Sequence, residues 1–212
     1  MEETIKIFIY IHAFFGGLGL ITGLGSIIVT KGSALHKRFG KLFSIGMITS
    51  SLISLPIAWM PNHENIFLFL IGLFTIYLVL AGNRALTFKK KVEATVLDTI
   101  ISGSMLFFSL VMIVLGAYYL LKGGSIGTLF LFFGAFGFLL SFNDFKFYRN
   151  SQRPKNAWLR SHIGKMVGAF IASITAFIVA GLGIGNIIAW TLPTVLGTLY
   201  IVYWTRKMKV KK

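Results

Sequence analysis

The 212 residues are 56% hydrophobic and only 13% charged, with a mean hydropathy of +0.80, more apolar surface than a water-soluble domain of this size can cover. A formal net charge of +15 would fit a nucleic-acid partner if the basic residues shared one accessible face; they fall instead between apolar runs, so no nucleic acid is expected. The absence of cysteine excludes disulfides, thiolate metal ligands, Fe–S centres and cysteine nucleophiles together.

A spanning helix takes about 20 mostly apolar residues. Seven such runs lie near 5–29, 42–60, 66–87, 95–121, 125–143, 162–183 and 186–204. The expected fold is therefore all-α: one polytopic bundle of seven transmembrane helices. Met1-Glu2-Glu3 lacks the basic start of a cleavable signal, so the first helix is expected to stay in the mature protein. Cations crowd alternate connectors: Lys31, Lys37, Arg38 and Lys41; then Arg84, Lys89, Lys90 and Lys91; then Lys146, Arg149, Arg153, Lys155, Arg160 and Lys165. Arg206, Lys207, Lys209, Lys211 and Lys212 follow the last run. By the positive-inside rule the N-terminus is outside and the C-terminus cytoplasmic, in the cytoplasmic membrane of a bacterium, with anionic lipid against the inner face.

Taken in order, the first helix is rich in glycine, and Gly19 to Gly23 has the spacing that lets helix backbones approach. Ser33 is placed to cap the second, whose His36, Gly40, Ser44, Met47, Ser51 and Ser54 form a small, polar line. Arg84 closes the third helix, Asp98 opens the fourth and Asp144 ends the fifth. The sixth carries Ile163, Val167, Phe170, Ile174 and Phe177 on one bulky face, expected toward lipid. Two narrow faces, Gly164, Gly168, Ala172, Thr175 and Met166, Ala169, Ser173, Ala176, suit close helix neighbours.

Ionisable residues at the edge of a membrane are costly and mark candidate sites. His36, Arg84, Asp98, Asp144 and His162 are expected in one layer near the cytoplasmic face, binding, and passing, a small ligand or ion. Arg84 would engage the carboxylates or an anionic group, and each aspartate pairs with Arg84 or a loop lysine. Both histidines lie near helix N-termini and among cations, so neutral imidazole is expected, the form that ligates haem iron or zinc. A divalent metal held by the His and Asp groups, with a metal-bound water for hydrolysis, is a further alternative. His12 faces either His63 or a neighbour within the bundle. No P-loop, HExxH, GxSxG or Rossmann glycine pattern occurs.

Several segments carry a resemblance. The first helix with His12, Lys31-Gly32 followed by Leu35-His36-Lys37-Arg38-Phe39-Gly40, Gly82-Asn83-Arg84-Ala85-Leu86, and His162 through Lys165-Met166 to Ala176-Phe177 resemble a family of predicted bacterial membrane proteins catalogued as a domain of unknown function. The similarity covers nearly the whole chain, and it implies a multi-helix membrane fold without an activity. His36-x-x-x-Gly40 is also similar to b-type cytochromes of the cytochrome b561 group. That likeness implies haem b between His36 and His162, although His63 stands in a short loop.

Overall fold

The computed structural model describes residues 2–90 and 93–210, without the side chains of residues 187, 209 and 210. Lys91, Lys211, Lys212 and the Lys209 side chain, counted above among the cations, lie outside the described residues. The described chain is all-helical: α1 (Glu2–Ile28), α2 (Ala34–Ile57), α3 (Ile66–Ala85), α4 (Val96–Leu121), α5 (Ile126–Arg149), α6 (Ala157–Ala176) and α7 (Ile187–Val210). A 3-10 turn, Leu86–Lys89, prolongs α3, and a π turn, Phe177–Gly181, prolongs α6. Six of the seven helices are long and apolar enough to cross a membrane. The exception, α7, mixes Thr191, Pro193, Thr194 and Thr198 with Tyr200, Tyr203 and Trp204.

Several boundaries differ from expectation for one reason. Apolar runs stop at the first charge, but helical hydrogen bonds continue past it where solvent or a partner satisfies that charge. Thus the apolar run starts near 42, but α2 begins at Ala34 with the expected cap, Ser33 Oγ accepting from the His36 amide at 3.1 Å, which puts Lys37, Arg38 and Lys41 on the helix. Similarly, α5 runs on to Arg149, so Asp144 lies within it rather than at its end. The start of α6 at Ala157, after Asn156, agrees with the sequence, and Lys165, counted with the third group of cations though within the sixth run, lies inside the helix.

Consecutive helices pack as hairpins: α1 on α2, α4 on α5, and α6 on α7, with α3 between α2, α4 and α6. More of α3 is buried than of any other span. Glycine brings the hairpin backbones together. A Cβ on Gly46 of α2 would lie 2.8 Å from the Phe15 carbonyl oxygen and 2.9 Å from the Gly19 nitrogen of α1. One on Gly127 of α5 would lie 2.6 Å from the Gly116 carbonyl oxygen of α4. The Gly19–Gly23 face of α1 receives Met47 at Gly19 and Phe43 with Phe170 at Gly23. The bulky stripe of α6 is thus not a lipid face throughout: Val167 and Phe170 are buried, and Phe170 meets Phe43 edge to face at 6.1 Å.

One end of the bundle gathers the cationic connectors. Lys31 donates to the Ser26, Ile27 and Val29 carbonyls at the end of α1, and its ammonium lies 5.7 and 5.5 Å from the rings of Tyr200 and Trp204 on α7. Partial burial lowers its pKa from the usual lysine value. Phe88 stacks on Tyr148 of α5 at 5.7 Å, and Lys89 lies 5.7 Å from the Trp158 ring. The C-terminal ends of α1, α3, α5 and α7 therefore share this end with the starts of α2, α4 and α6.

Backbone contact of this kind leaves no room for a side chain. Gly46→Leu is expected to destabilise the protein by about 1–3 kcal/mol through overpacking, read as a lower thermal unfolding midpoint in detergent. Gly17→Ala, whose added carbon meets nothing within 4 Å, is expected to leave that midpoint unchanged or raised.

Candidate functional site

The polar residues at the cationic end fall into three hydrogen-bonded groups, the first two side by side along α3, where Tyr77 and Arg84 lie seven residues apart. The first lies at the start of α4, where Thr95 and Asp98 form a reciprocal cap: the Thr95 amide donates to Asp98 Oδ2 at 2.8 Å, and the Thr95 hydroxyl accepts from the Asp98 amide at 3.4 Å. Arg84, in the last turn of α3, completes it with a two-pronged contact, Nε to Asp98 Oδ1 at 2.7 Å and Nη2 to Oδ2 at 2.8 Å. Asp98 is 1% exposed and has its carboxylate satisfied by these donors and by the Thr95 hydroxyl at 2.7 Å. Arg84 is thereby committed to Asp98.

The second group is built around Asp144. Lys165 of α6 donates to its Oδ1 at 2.6 Å, while Tyr77 of α3 and Ser102 of α4 donate to Oδ2 at 2.7 and 3.0 Å. Asp144 and Lys165 are only 4% and 5% exposed, so this is a buried ion pair to which four helices each contribute one group. The Ser102 hydroxyl spends its single proton on Asp144 and so accepts from Tyr148, whose oxygen lies 2.9 Å away. At the other side Lys165 also donates to Ser161 at 2.7 Å. A continuous chain thus runs Tyr148, Ser102, Asp144, Lys165, Ser161. Tyr148 in turn lines a cleft of about 530 Å³ at the cationic end of the bundle.

The histidines form the third group, on the α1, α2 and α6 side. His162 Nδ1 lies 2.8 Å from the Gly82 carbonyl oxygen and His36 Nδ1 lies 3.1 Å from that of Ser26. A carbonyl can only accept, so each Nδ1 carries a proton and Nε2 is the ring nitrogen left for another partner. His12, within α1 and away from the cationic end, bonds the Ser50 carbonyl at 2.9 Å while the Ser50 hydroxyl returns a bond to the His12 carbonyl at 3.0 Å. It serves as a clamp between α1 and α2, away from His63.

The five residues picked from the sequence therefore divide into Arg84 with Asp98, Asp144 with Lys165, and His36 with His162. Among the described residues no three His, Asp or Glu side chains come together as a metal-holding group, so the donors for a metal-bound water are not gathered. Sequence reasoning missed Tyr77, Ser102, Tyr148 and Ser161, and took Lys165 for a connector charge. Helical spacing held the signal. Ser161 and Lys165, Asp98 and Ser102, and Asp144 and Tyr148 are each four apart, and Tyr77 precedes Arg84 by seven.

Breaking a buried pair leaves one charge uncompensated. Asp144→Asn and Lys165→Met are each expected to cost about 3–5 kcal/mol, with most of it recovered in the double variant. Thermal unfolding of the four proteins in one detergent measures this, and a double variant no more stable than the singles would show the charges to be uncoupled. Comparison with protein-family models, with curated proteins and with solved structures finds no match to this chain.

Proposed function

We propose that this is a seven-span protein of the bacterial cytoplasmic membrane, N-terminus outside and C-terminus in the cytoplasm, that binds and passes a small ion through the layer around Asp144. The single observation that carries this is the Asp144–Lys165 pair. A membrane helix bundle gains nothing from a bare charge pair that apolar packing could not supply, so buried ionisable groups here point to transport or proton relay. The ion best suited to the hydroxyl chain is the proton. A proton arriving at Tyr148 passes through Ser102 as each hydroxyl gives up its own hydrogen to the next acceptor, and it ends on Asp144 Oδ2. Neutral Asp144 holds Lys165 more weakly, and Lys165 then rests on Ser161. Because α3, α4, α5 and α6 all bond this centre, its protonation loosens four helices at once.

Support for the seventh span is geometric. At 1.5 Å per residue the 24-residue α7 is about 36 Å long, enough for the hydrocarbon core. Its Gly197 packs against Ile171 and Val167 of α6, and its far end meets Lys31.

A second reading rests on the histidines. Rings that donate Nδ1–H to main-chain carbonyls have the tautomer and fixed orientation of metal-bound imidazole, with Nε2 free to ligate. His36 and His162 would then hold haem b, which supplies one-electron transfer. The buried Ser26 hydroxyl, unpartnered at this end of α1, gives that side of the layer a polar group to offer such a ligand.

In vesicles loaded with a pH-sensitive dye and given an inward-negative potassium diffusion potential, wild-type protein is expected to acidify the lumen. Asp144→Asn should abolish the uptake, and Tyr148→Phe should slow it; equal rates in all three would sink the relay. Protein expressed with a haem precursor separates the second reading, which predicts a Soret band lost in His36→Ala and in His162→Ala. The cysteine-free chain makes orientation testable directly. Glu64→Cys should react with an impermeant thiol reagent added outside intact cells, and Asn150→Cys only after the cells are opened.

A further inference from the structure

We infer that the cleft beside Tyr148 binds an oxyanion, the phosphate or carboxylate group of a small solute, at the mouth of the Asp144 chain. The cleft is lined by Arg149, Arg153, Thr99, Ser151, Tyr148 and Glu93, with Phe145 and Ala94 as its apolar wall. Two guanidinium groups oppose one carboxylate, so the lining is cationic, with the Ser151 hydroxyl as a further donor; the Tyr148 and Thr99 protons go to Ser102 and to the Thr95 carbonyl. Arg153 is held in place before any ligand arrives. Its Nε donates to the Asn150 carbonyl at 2.7 Å, and its guanidinium carbon lies 4.4 Å from the Phe147 ring centre and 5.0 Å from that of Phe88. A guanidinium fixed on aromatic faces loses little freedom when it takes two neighbouring oxygens of an oxyanion, which favours phosphate and carboxylate over chloride. Arg149, exposed in the last turn of α5, supplies the second, adaptable donor.

Tyr148 joins this cleft to the interior. It contributes to the lining, and its hydroxyl oxygen lies 2.9 Å from Ser102, the donor to Asp144. An acid bound in its protonated form can lose one proton to the phenol oxygen while the phenol passes its own through Ser102. The bound solute then becomes the anion the arginines hold, and Asp144 gains the proton. This coupling step rests on the proton relay proposed above; the oxyanion site itself does not.

The test uses full-length protein in a neutral detergent free of anionic lipid, titrated with inorganic phosphate against sodium chloride of equal ionic strength. The site predicts a saturable, phosphate-specific rise in the thermal midpoint. Arg149→Gln and Arg153→Gln should each weaken it about ten-fold. Arg149 lies exposed at a helix end, so its variant keeps the test decisive should Arg153→Gln fail to fold. A response identical to that with chloride, or one unchanged in Arg149→Gln, overturns the inference. A parallel arm in nanodiscs compares phosphatidylglycerol with phosphatidylcholine. A shift with phosphatidylglycerol alone assigns the oxyanion to a lipid headgroup and overturns the solute. Asp144→Asn should still bind phosphate while carrying no protons. Phosphate binding by a wild-type protein that takes up no protons would overturn the relay only, and proton uptake without phosphate binding would overturn this site only.

Discussion

The arrangement of the cationic end depends on one ion pair. Asp144 and Lys165 are both buried, and each is further satisfied by hydroxyls, so the pair has the hydrogen bonds without which two desolvated charges would not repay the cost of leaving water. Its partners come from α3, α4, α5 and α6. Those four helices cannot settle independently: the rotation of each about its axis is fixed by the need to aim one side chain at the same carboxylate or ammonium. The Arg84–Asp98 contact, satisfied within the start of α4 and the end of α3, does not have this reach.

A second constraint acts through absence of side chains. Where α1 meets α2 and α4 meets α5, glycines at 19, 46, 116 and 127 bring main chain against main chain. Such contacts supply the close van der Waals packing that replaces hydrophobic association in lipid. The α3 and α6 interface is of another kind. It is built from larger groups, with Met166 and Lys165 against Gly82 and Leu78 near Gly168, and it holds the His162 bond to Gly82.

The helices were legible because apolar runs of membrane length have few alternatives. Their ends were not, since Lys37, Arg38 and Lys41 are compatible with both connector and helix surface. The cap at Thr95 and Asp98 was visible as a Thr-x-x-Asp pattern before an apolar run, although Asp98 was read for its charge alone. Lys165 was hidden by its neighbours. Beside Arg160 and His162 it looks like one more inner-surface cation, and only the fold shows its chain turned inward to Asp144. Likewise nothing in the spacing of Phe170 tells lipid from Phe43, because both are apolar. Spacing can put polar residues on one face of a helix, but it does not say which distant helix they meet, and the groups around Asp144 lie as far as 67 positions from it.

The glycine contacts have a mechanical consequence. Where main chain touches main chain, at Gly46 against α1 and at Gly127 against α4, no rotatable side chain lies between, so the α1–α2 and α4–α5 hairpins resist shear at those points. Compliance is left to the surfaces of α3 and α6, where flexible methionine and lysine side chains fill the gap. Any displacement set off at Asp144 therefore starts at the softest seam of the bundle and is carried outward by its two stiffest members.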